Sequence, residues 1–243
     1  MKLFLPLTAA LVAPAALCSG AVLYTTDFGT GYTSGTLVGQ SGWAQTGTTT
    51  TNPIQVTGAA AVVGPTGQDV NHLYTATVLS GVTPTITLEA SITINTNGNT
   101  AGDYFLHLGD GGTANFYLRL YARSAGAGLF NLAMTTSSGA VLAGSWGGNL
   151  TVGSTYAITM AYNFVSGLAN DTGSLLVNGA AYSTAQTSGV DSVSFSSVNL
   201  RQGGGASAPN VTVDNIVVSS VPEPNAAALL GSIGVLGLVR RRR

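Results

Sequence analysis

Residues 85–95 have the sequence Thr85-Ile-Thr-Leu-Glu-Ala-Ser-Ile-Thr-Ile-Asn95, and this stretch decides the fold class. Its apolar side chains alternate with polar ones without a break, which is the pattern of a β-strand with one buried and one exposed face. Similar alternation, or short runs between glycines and asparagines, predicts further strands at 22–28, within 53–74, and at 104–108, 115–123, 129–134, 156–164, 175–178, 180–183, 190–201 and 211–219. Roughly a dozen short strands without helical periodicity predict an all-β protein, an antiparallel two-sheet β-sandwich of jelly-roll type.

The composition narrows the range of functions. Residues 22–221 carry eight acidic and three basic side chains, which gives a net charge of −5. No lysine is present in this segment, so a basic footprint for nucleic acid is absent from the sequence. The only cysteine is Cys18, so the body of the chain forms no disulfide. A segment of this length suits one domain, predicted to span residues 22–220.

The N-terminal residues predict a secretory signal peptide over residues 1–21. Lys2 precedes an apolar run at 3–17, and small residues follow up to Ala21. We expect signal peptidase to cleave after Ala21 or after Gly20. A lipoprotein with Cys18 as its lipidated N-terminus is the alternative, but Leu17 before it is bulky where a small residue is expected.

The last residues, 221–243, predict a membrane-directed tail. Pro222 and Pro224 end the preceding strand, because proline fixes φ and lacks a backbone donor. Residues 226–239 are uncharged and apolar, and as a helix they would span about 21 Å against a hydrocarbon core of about 30 Å. Thinning of the bilayer and snorkelling of arginine close part of that gap. Four arginines, 240–243, would keep this end cytoplasmic, and they fit the alternative of a buried core helix poorly.

The order of these parts resembles the PEP-CTERM sorting signal of Gram-negative bacteria. The matching positions are Val221, Pro222, Glu223 and Pro224, the apolar segment, and Arg240, Arg241, Arg242 and Arg243. The resemblance implies transient anchoring in the inner membrane and handling by an exosortase, which passes the protein to the cell surface or extracellular matrix. It implies nothing about the activity of the domain that is carried.

The body resembles concanavalin A-like, laminin-G-like domains. The resemblance rests on Asp27-Phe28, on Gly31-Tyr32, on residues 37–43 and on Val177-Asn178-Gly179. It implies a jelly roll, and such domains often hold a structural calcium ion. Asp27 and Asp214 are the first candidates for its ligands if the terminal strands pair, and Asp103 and Asp110 are the second. The sequence contains no Asp-x-Asp-x-Asp loop.

The sequence lacks the usual catalytic motifs, so we predict that the protein is not an enzyme. Glu89 is the only glutamate of the body and has no acid near it in sequence, whereas sandwich-fold glucanases place their carboxylates in a Glu-x-Asp-x-x-Glu pattern. His72 and His107 have no metal-ligand spacing, and no Gly-x-Ser-x-Gly elbow is present. We expect His107 to be a sheet histidine with satisfied hydrogen bonds.

The segment 116–123 contains the candidate binding residues. Phe116, Leu118, Leu120 and Ala122 form the predicted buried face, and the predicted outward face consists of Tyr117, Arg119, Tyr121 and Arg123. Tyrosine rings and guanidinium groups can stack on sugar rings and donate to their hydroxyls. Packing of tyrosine on arginine across a solvated sheet is the more common meaning of such a pattern.

Three functions therefore remain open at the level of sequence. The first, which the sequence favours, is an exported envelope or matrix protein whose sandwich has a structural or adhesive role. The second is a carbohydrate-binding module that binds polysaccharide. The third is a glycan-active hydrolase, which needs a pair of carboxyl groups brought together by the fold.

Overall fold

The protein is a β-sandwich of two antiparallel sheets, as the sequence predicts. The computed structural model describes residues 20–79, 85–111, 116–136, 141, 145–165, 171–183, 187–188 and 193–221. The large sheet has ten strands: β1 (Ala21–Thr26), β2 (Gly35–Thr36), β4 (Gln55–Val56), β5 (Ala61–Val63), β7 (Thr85–Thr96), β12 (Thr155–Asn163), β13 (Asp171–Val177), β14 (Ala180–Ser183), β15 (Thr187–Ser188) and β17 (Asn210–Val221). The small sheet has seven: β3 (Trp43–Thr46), β6 (Asp69–Leu79), β8 (Asp103–Gly109), β9 (Phe116–Gly126), β10 (Leu129–Thr135), β11 (Leu150–Thr151) and β16 (Val193–Leu200). A short 3₁₀ turn, Gly205–Ser207, precedes β17.

The stretch that decides the fold class becomes β7, near the middle of the large sheet. This strand pairs with β12 on one side and β17 on the other, in the sheet order β14-β13-β12-β7-β17-β5-β4-β2. β1 pairs with β17, and β15 pairs with β13. Ile86, Leu88, Ile92 and Ile94 are fully buried, which confirms the predicted apolar face.

The small sheet has the order β11-β10-β9-β8-β16-β6-β3. Its inward side chains meet those of the large sheet in one apolar core. Tyr162 and Phe195, for example, lie 5.5 Å apart between ring centroids. The outward side chains of β8, β9 and β16 form the other surface of this sheet, and that surface carries the candidate site.

A β-bulge in β9 changes which side chains reach that surface. Leu108 pairs with Tyr117 and Leu106 pairs with Leu120, so Leu118 and Arg119 together stand opposite His107. Leu118 takes a positive φ of 45° there, and the extra residue shifts the alternation by one position. The sequence prediction is therefore wrong at the start of β9: Tyr117 is partly buried against the core beside Phe195, whereas the predicted core residue, Phe116, faces outward.

The first and last strands of the domain, β1 and β17, are paired, so its two chain ends lie next to each other. Ala21 at the start of β1 pairs with Ser220 near the end of β17, and Val221 still pairs with Thr85. Among the described residues, no helix is long and apolar enough to cross a membrane. The predicted membrane span at 226–239 and nearly all of the predicted signal peptide, residues 1–19, lie outside the described residues.

Candidate functional site

A cavity of about 220 Å³ lies on the outer surface of the small sheet. Five strands and the segment after β16 contribute to its wall, because the sheet order places β8 between β9 and β16 and places β6 next to β16. The residues that line it are Thr46, Gly47, Asp69, Val70, Tyr104, His107, Phe116, Asn199, Leu200 and Arg201. These residues are far apart in sequence, so only the topology brings them together.

Aromatic rings and arginines stack around this cavity, and we call this group the aromatic–arginine cluster: Tyr104, Phe116, Arg119, Tyr121 and Arg201. The guanidinium carbon of Arg119 lies 4.8 Å from the Tyr104 ring centroid and 5.6 Å from that of Phe116. The guanidinium carbon of Arg201 lies 4.2 Å from the Tyr104 ring, and the Tyr104 and Tyr121 rings are 5.3 Å apart. Such cation–π contacts fix the direction of the planar groups.

His107 lies at the inner wall of the cavity and is 4% exposed. Its ring is 5.4 Å from Tyr104 and 4.7 Å from Phe116, both in edge contact. Within the described part of the chain, neither ring nitrogen has a hydrogen-bond partner. His107 is a sheet histidine as expected, but among the described residues it does not form the expected hydrogen bonds.

The charge state of His107 follows from its surroundings. Burial lowers its pKa to about 3, and the charges of Arg119 and Arg201 act in the same direction. The imidazole is therefore neutral at pH 7, with one nitrogen as donor and the other as acceptor. A ligand hydroxyl, which both donates and accepts, matches this pair of unmet groups.

The other predicted binding residues lie on the same surface, apart from Tyr117. Arg119 is 7% exposed, and its Nη1 donates to the Tyr121 hydroxyl at 3.3 Å. Arg123 donates through Nε to Asn131 Oδ1 at 3.4 Å, and its guanidinium carbon lies 4.3 Å from the Trp146 ring centroid. Arg119, Tyr121 and Arg123 therefore lie on one surface. Because of the β9 bulge, Tyr117 does not lie there.

Two carboxylates that the sequence did not place in this site lie at its Arg201 end. Asp103 forms an ion pair with Arg201 at 2.7 Å and also accepts from the backbone N–H groups of Tyr104 and Gly204. Asp69 accepts the backbone N–H of Gln202 at 2.8 Å. Burial raises the pKa of Asp69, and the charge of Asp103 adds to that rise, although the Gln202 N–H and Arg201 oppose it.

The carboxylates predicted for calcium, Asp27 and Asp214, are brought near each other because β1 pairs with β17. Burial raises the pKa of Asp214, and the charge of Asp27 contributes to the rise. The backbone N–H groups of Gly29 and Thr30 both donate to Asp27, which lowers its own pKa. Calcium takes six to eight oxygen ligands, and no group of three or more His, Cys, Asp and Glu side chains lies together in the described ranges. Calcium binding here, or at Asp103 and Asp110, stays a prediction.

A second cavity, of about 460 Å³, lies beside Asp27 and is lined also by Tyr24, Tyr32 and His72. Several of its polar groups are already bonded within the fold. His72 Nε2 lies 2.9 Å from the carbonyl oxygen of Ser41, and Tyr32 accepts the indole N–H of Trp43 at 3.0 Å. The Tyr24 hydroxyl and His72 Nδ1 also have no partner among the described residues. The cavity at His107 is the better candidate site because of the aromatic rings and guanidinium groups that surround it.

At the end of β17, residues 220–243 match the PEP-CTERM protein-sorting motif. The chain carries a PEP-CTERM sorting signal. This confirms the motif predicted from Val221, Pro222, Glu223 and Pro224, and it implies export and exosortase-dependent processing. The PEP-CTERM match covers only the C-terminal end, so it leaves the role of the sandwich open. Ser220 and Val221 belong to β17, and residues 222–243 lie outside the described residues.

The sandwich is similar to solved structures of glycan-active proteins. An alginate lyase mutant in complex with an alginate tetrasaccharide matches with a TM-score of 0.57 and 14% identity, over 84% of this chain and 98% of that one. An endo-1,3-β-glucanase from Streptomyces sioyaensis matches with a TM-score of 0.51 and 14% identity, over 87% of this chain and 100% of that one. These likenesses confirm the jelly-roll, concanavalin A-like fold. No curated protein sequence matches the chain.

Proposed function

We propose that this protein is an exported glycan-binding module with an adhesive role at the cell surface or in the extracellular matrix. The observation that carries the proposal is His107, a buried neutral imidazole with both nitrogens unmet among the described residues, at the wall of a cavity ringed by aromatic and guanidinium groups. An unmet polar group in a protein interior costs about 1–3 kcal/mol. Ligand binding that supplies the missing partners recovers part of that cost.

The site has the chemical groups that a sugar needs. Ring faces of Tyr104, Phe116 and Tyr121 offer amphipathic stacking surfaces, and the guanidinium groups offer fixed donors for hydroxyls. Asn199, which is 5% exposed, lines the same wall and pairs with His107 across β8 and β16. Both nitrogens of His107 are closed to solvent, so a sugar ring would reach them by displacing the Phe116 or Tyr104 ring that packs against the imidazole.

The proposal does not include cleavage of the glycan. Hydrolysis by the usual route needs two carboxyl groups about 5–10 Å apart and free to act on the substrate. Asp103 is near Asp69, but its oxygens already accept from Arg201 and from two backbone N–H groups. This ion pair supports a structural role for Asp103, in which it holds Arg201 on the Tyr104 ring.

The sorting part of the proposal concerns the two ends of the chain. Signal peptidase would remove residues 1–21, residues 226–239 would anchor the chain in the inner membrane with Arg240–Arg243 on the cytoplasmic side, and an exosortase would cut near Pro222–Pro224. The pairing of Ala21 with Ser220 supports this arrangement, because it places both processing sites at the same end of the folded sandwich. The cut protein would then reach the surface of a Gram-negative cell or its matrix.

Binding of polysaccharides to the full chain in mild detergent tests the proposal. We expect retention in gels that contain a bound polysaccharide, and a loss of about tenfold in affinity for Phe116→Ala or Tyr121→Ala, in line with about 1.4 kcal/mol for a lost stacking contact. Thr159→Ala, on the outer face of the large sheet, is the control and should bind as the wild type does. Equal binding by all variants would overturn the proposed site, and release of new reducing ends would show that the protein is an enzyme.

A further inference from the structure

All three arginines of residues 22–221 lie on the surface that carries the candidate site. They are Arg119 and Arg123 on β9 and Arg201 directly after β16, in a segment whose net charge is −5. We propose that the glycan bound here is acidic, with carboxylate or sulfate groups on its sugars. This inference rests on the proposed function and assigns the chemical class of its ligand.

Arg119 is the strongest support for an acidic ligand. It is 7% exposed, and the described residues provide no carboxylate within 4 Å of it. Its Nε has no hydrogen-bond partner within the same ranges. A buried charge without a counter-ion costs several kcal/mol, so a guanidinium in this position is poised for an anion that comes from outside the fold.

Arg123 extends the positive surface along the same strand. Trp146 and Asn131 hold its side chain in place, and the described chain provides no acid within 4 Å of it either. Arg119 and Arg123 are four residues apart on β9, with Tyr121 between them on the same face. Such spacing would place the two guanidinium groups along a polymer rather than on a single sugar.

The acidic side chains near the cavity do not cancel this charge. Asp103 is paired with Arg201 at 2.7 Å, so that pair is close to neutral. Asp69 lies at the Arg201 end of the cavity, where its carboxylate accepts the Gln202 N–H and is close to the charge of Arg201. Among the described residues, Arg119 and Arg123 have no acidic partner within 4 Å. A planar guanidinium binds carboxylate or sulfate through two parallel hydrogen bonds.

The test compares one polymer in two charge states. Polygalacturonate and its carboxyl-reduced form have the same backbone, and a sulfated galactan adds the second kind of anion. We expect the full chain to bind polygalacturonate or the sulfated galactan at least about tenfold more tightly than the reduced polymer, since hydrogen bonds to charged groups contribute about 1.5–3 kcal/mol. Added salt should reduce only the preference for the anionic form. Tighter binding of polygalacturonate would identify the recognised group as a carboxylate, and tighter binding of the sulfated galactan would identify it as a sulfate.

Arg119→Gln separates ligand recognition from folding. This variant should lose more affinity for the anionic polymer than for the reduced one, because only the anionic polymer loses a charged partner, whereas a merely structural effect would weaken both equally. Arg123→Gln should give a smaller loss of the same kind, because its side chain is less buried. Equal affinity of the wild type for the charged and reduced polymers would overturn the inference and leave the proposed function standing. Binding to none of the polymers would overturn both.

Discussion

At the residue scale, His107 links stability to ligand binding. Its two unmet nitrogens destabilise the fold, and they are also the groups that we assign to sugar hydroxyls. We expect His107→Phe, which keeps a ring between Tyr104 and Phe116, to raise the free energy of unfolding by about 1 kcal/mol. The same variant should bind polysaccharide several-fold more weakly. Denaturant unfolding and affinity gels measure the two effects, and a variant that is both less stable and equally tight in binding would contradict this assignment.

The same residue predicts a pH dependence of stability. The pKa of His107 is about 3 in the folded protein and about 6.5 in an unfolded chain. The unfolded state therefore takes up the proton first as the pH falls. The stabilisation associated with the neutral imidazole is full above about pH 6.5 and is lost between about pH 6.5 and 3, with a slope of up to about 1.4 kcal/mol per pH unit.

Comparison of variants isolates this effect from that of the carboxylates, which titrate in part of the same range. The difference between the wild type and His107→Phe in free energy of unfolding should change with pH over that window, because only the wild type can take up this proton. A constant difference from pH 7 to pH 4 would show that His107 has the same pKa in the folded and the unfolded protein. Its ring would then have a partner in solution.

At the element scale, the bulge in β9 separates two neighbouring aromatic residues by function. Tyr117 is partly buried against Phe195, so Tyr117→Ala should lower the free energy of unfolding by about 1–2 kcal/mol, less than for a fully buried aromatic residue. Its effect on polysaccharide affinity should be small while the protein is folded. Phe116→Ala should do the reverse, with a small loss of stability and a clear loss of affinity. If Tyr117→Ala alone abolished binding without loss of stability, Tyr117 would face outward, as the regular alternation of residues 116–123 predicts.

This strand also shows where sequence patterns stop being informative. In β7 the alternation runs unbroken and its buried face is the predicted one, since its pairing with β12 is regular and the register shift between Asp214 and Val217 places the extra residue on β17. In β9 the same kind of alternation is shifted at its start by one residue, Leu118, whose positive φ has no sign in the amino-acid sequence. Leucine rarely adopts that conformation, so a pattern argument has no reason to place a bulge there. The hairpin at Asn178 and Gly179 differs, because both residues favour positive φ, and it forms as predicted.

At the scale of the whole molecule, the candidate site depends on contacts that sequence patterns do not contain. Asp103 and Arg201 are 98 residues apart and meet through an ion pair, and Asp69 meets Gln202 over 133 residues. Sequence analysis predicts Arg119, Tyr121 and Arg123 of β9, since they share one strand. It gives no sign of Asp69, Tyr104 or Asn199, because their proximity follows from the order of β6, β16 and β8 in the sheet.

The last strand links the fold to the sorting signal, and truncation tests whether the two are independent. β17 lies between β7 and the pair β1 and β5, and its Ile216 and Val218 are fully buried. A chain that ends at Val221 keeps every one of these pairings, so its free energy of unfolding should lie within about 0.5 kcal/mol of that of the full chain. A chain that ends at Asn215 loses the pairing of β17 with β1 and should not fold. Circular dichroism melts compare the two.

In cells, the chain that ends at Val221 should be exported but not retained in the cell envelope, because it lacks the apolar segment and the arginines. The full chain should stay in the inner membrane with its complete mass in a strain without the exosortase, and should lose about 20 residues when the enzyme is present, in accordance with a cut near Pro222–Pro224. Intact-mass measurement of each membrane fraction decides this. A full-length tail in both strains would mean that residues 222–243 act as a plain anchor, and the glycan-binding surface would then work from the inner membrane.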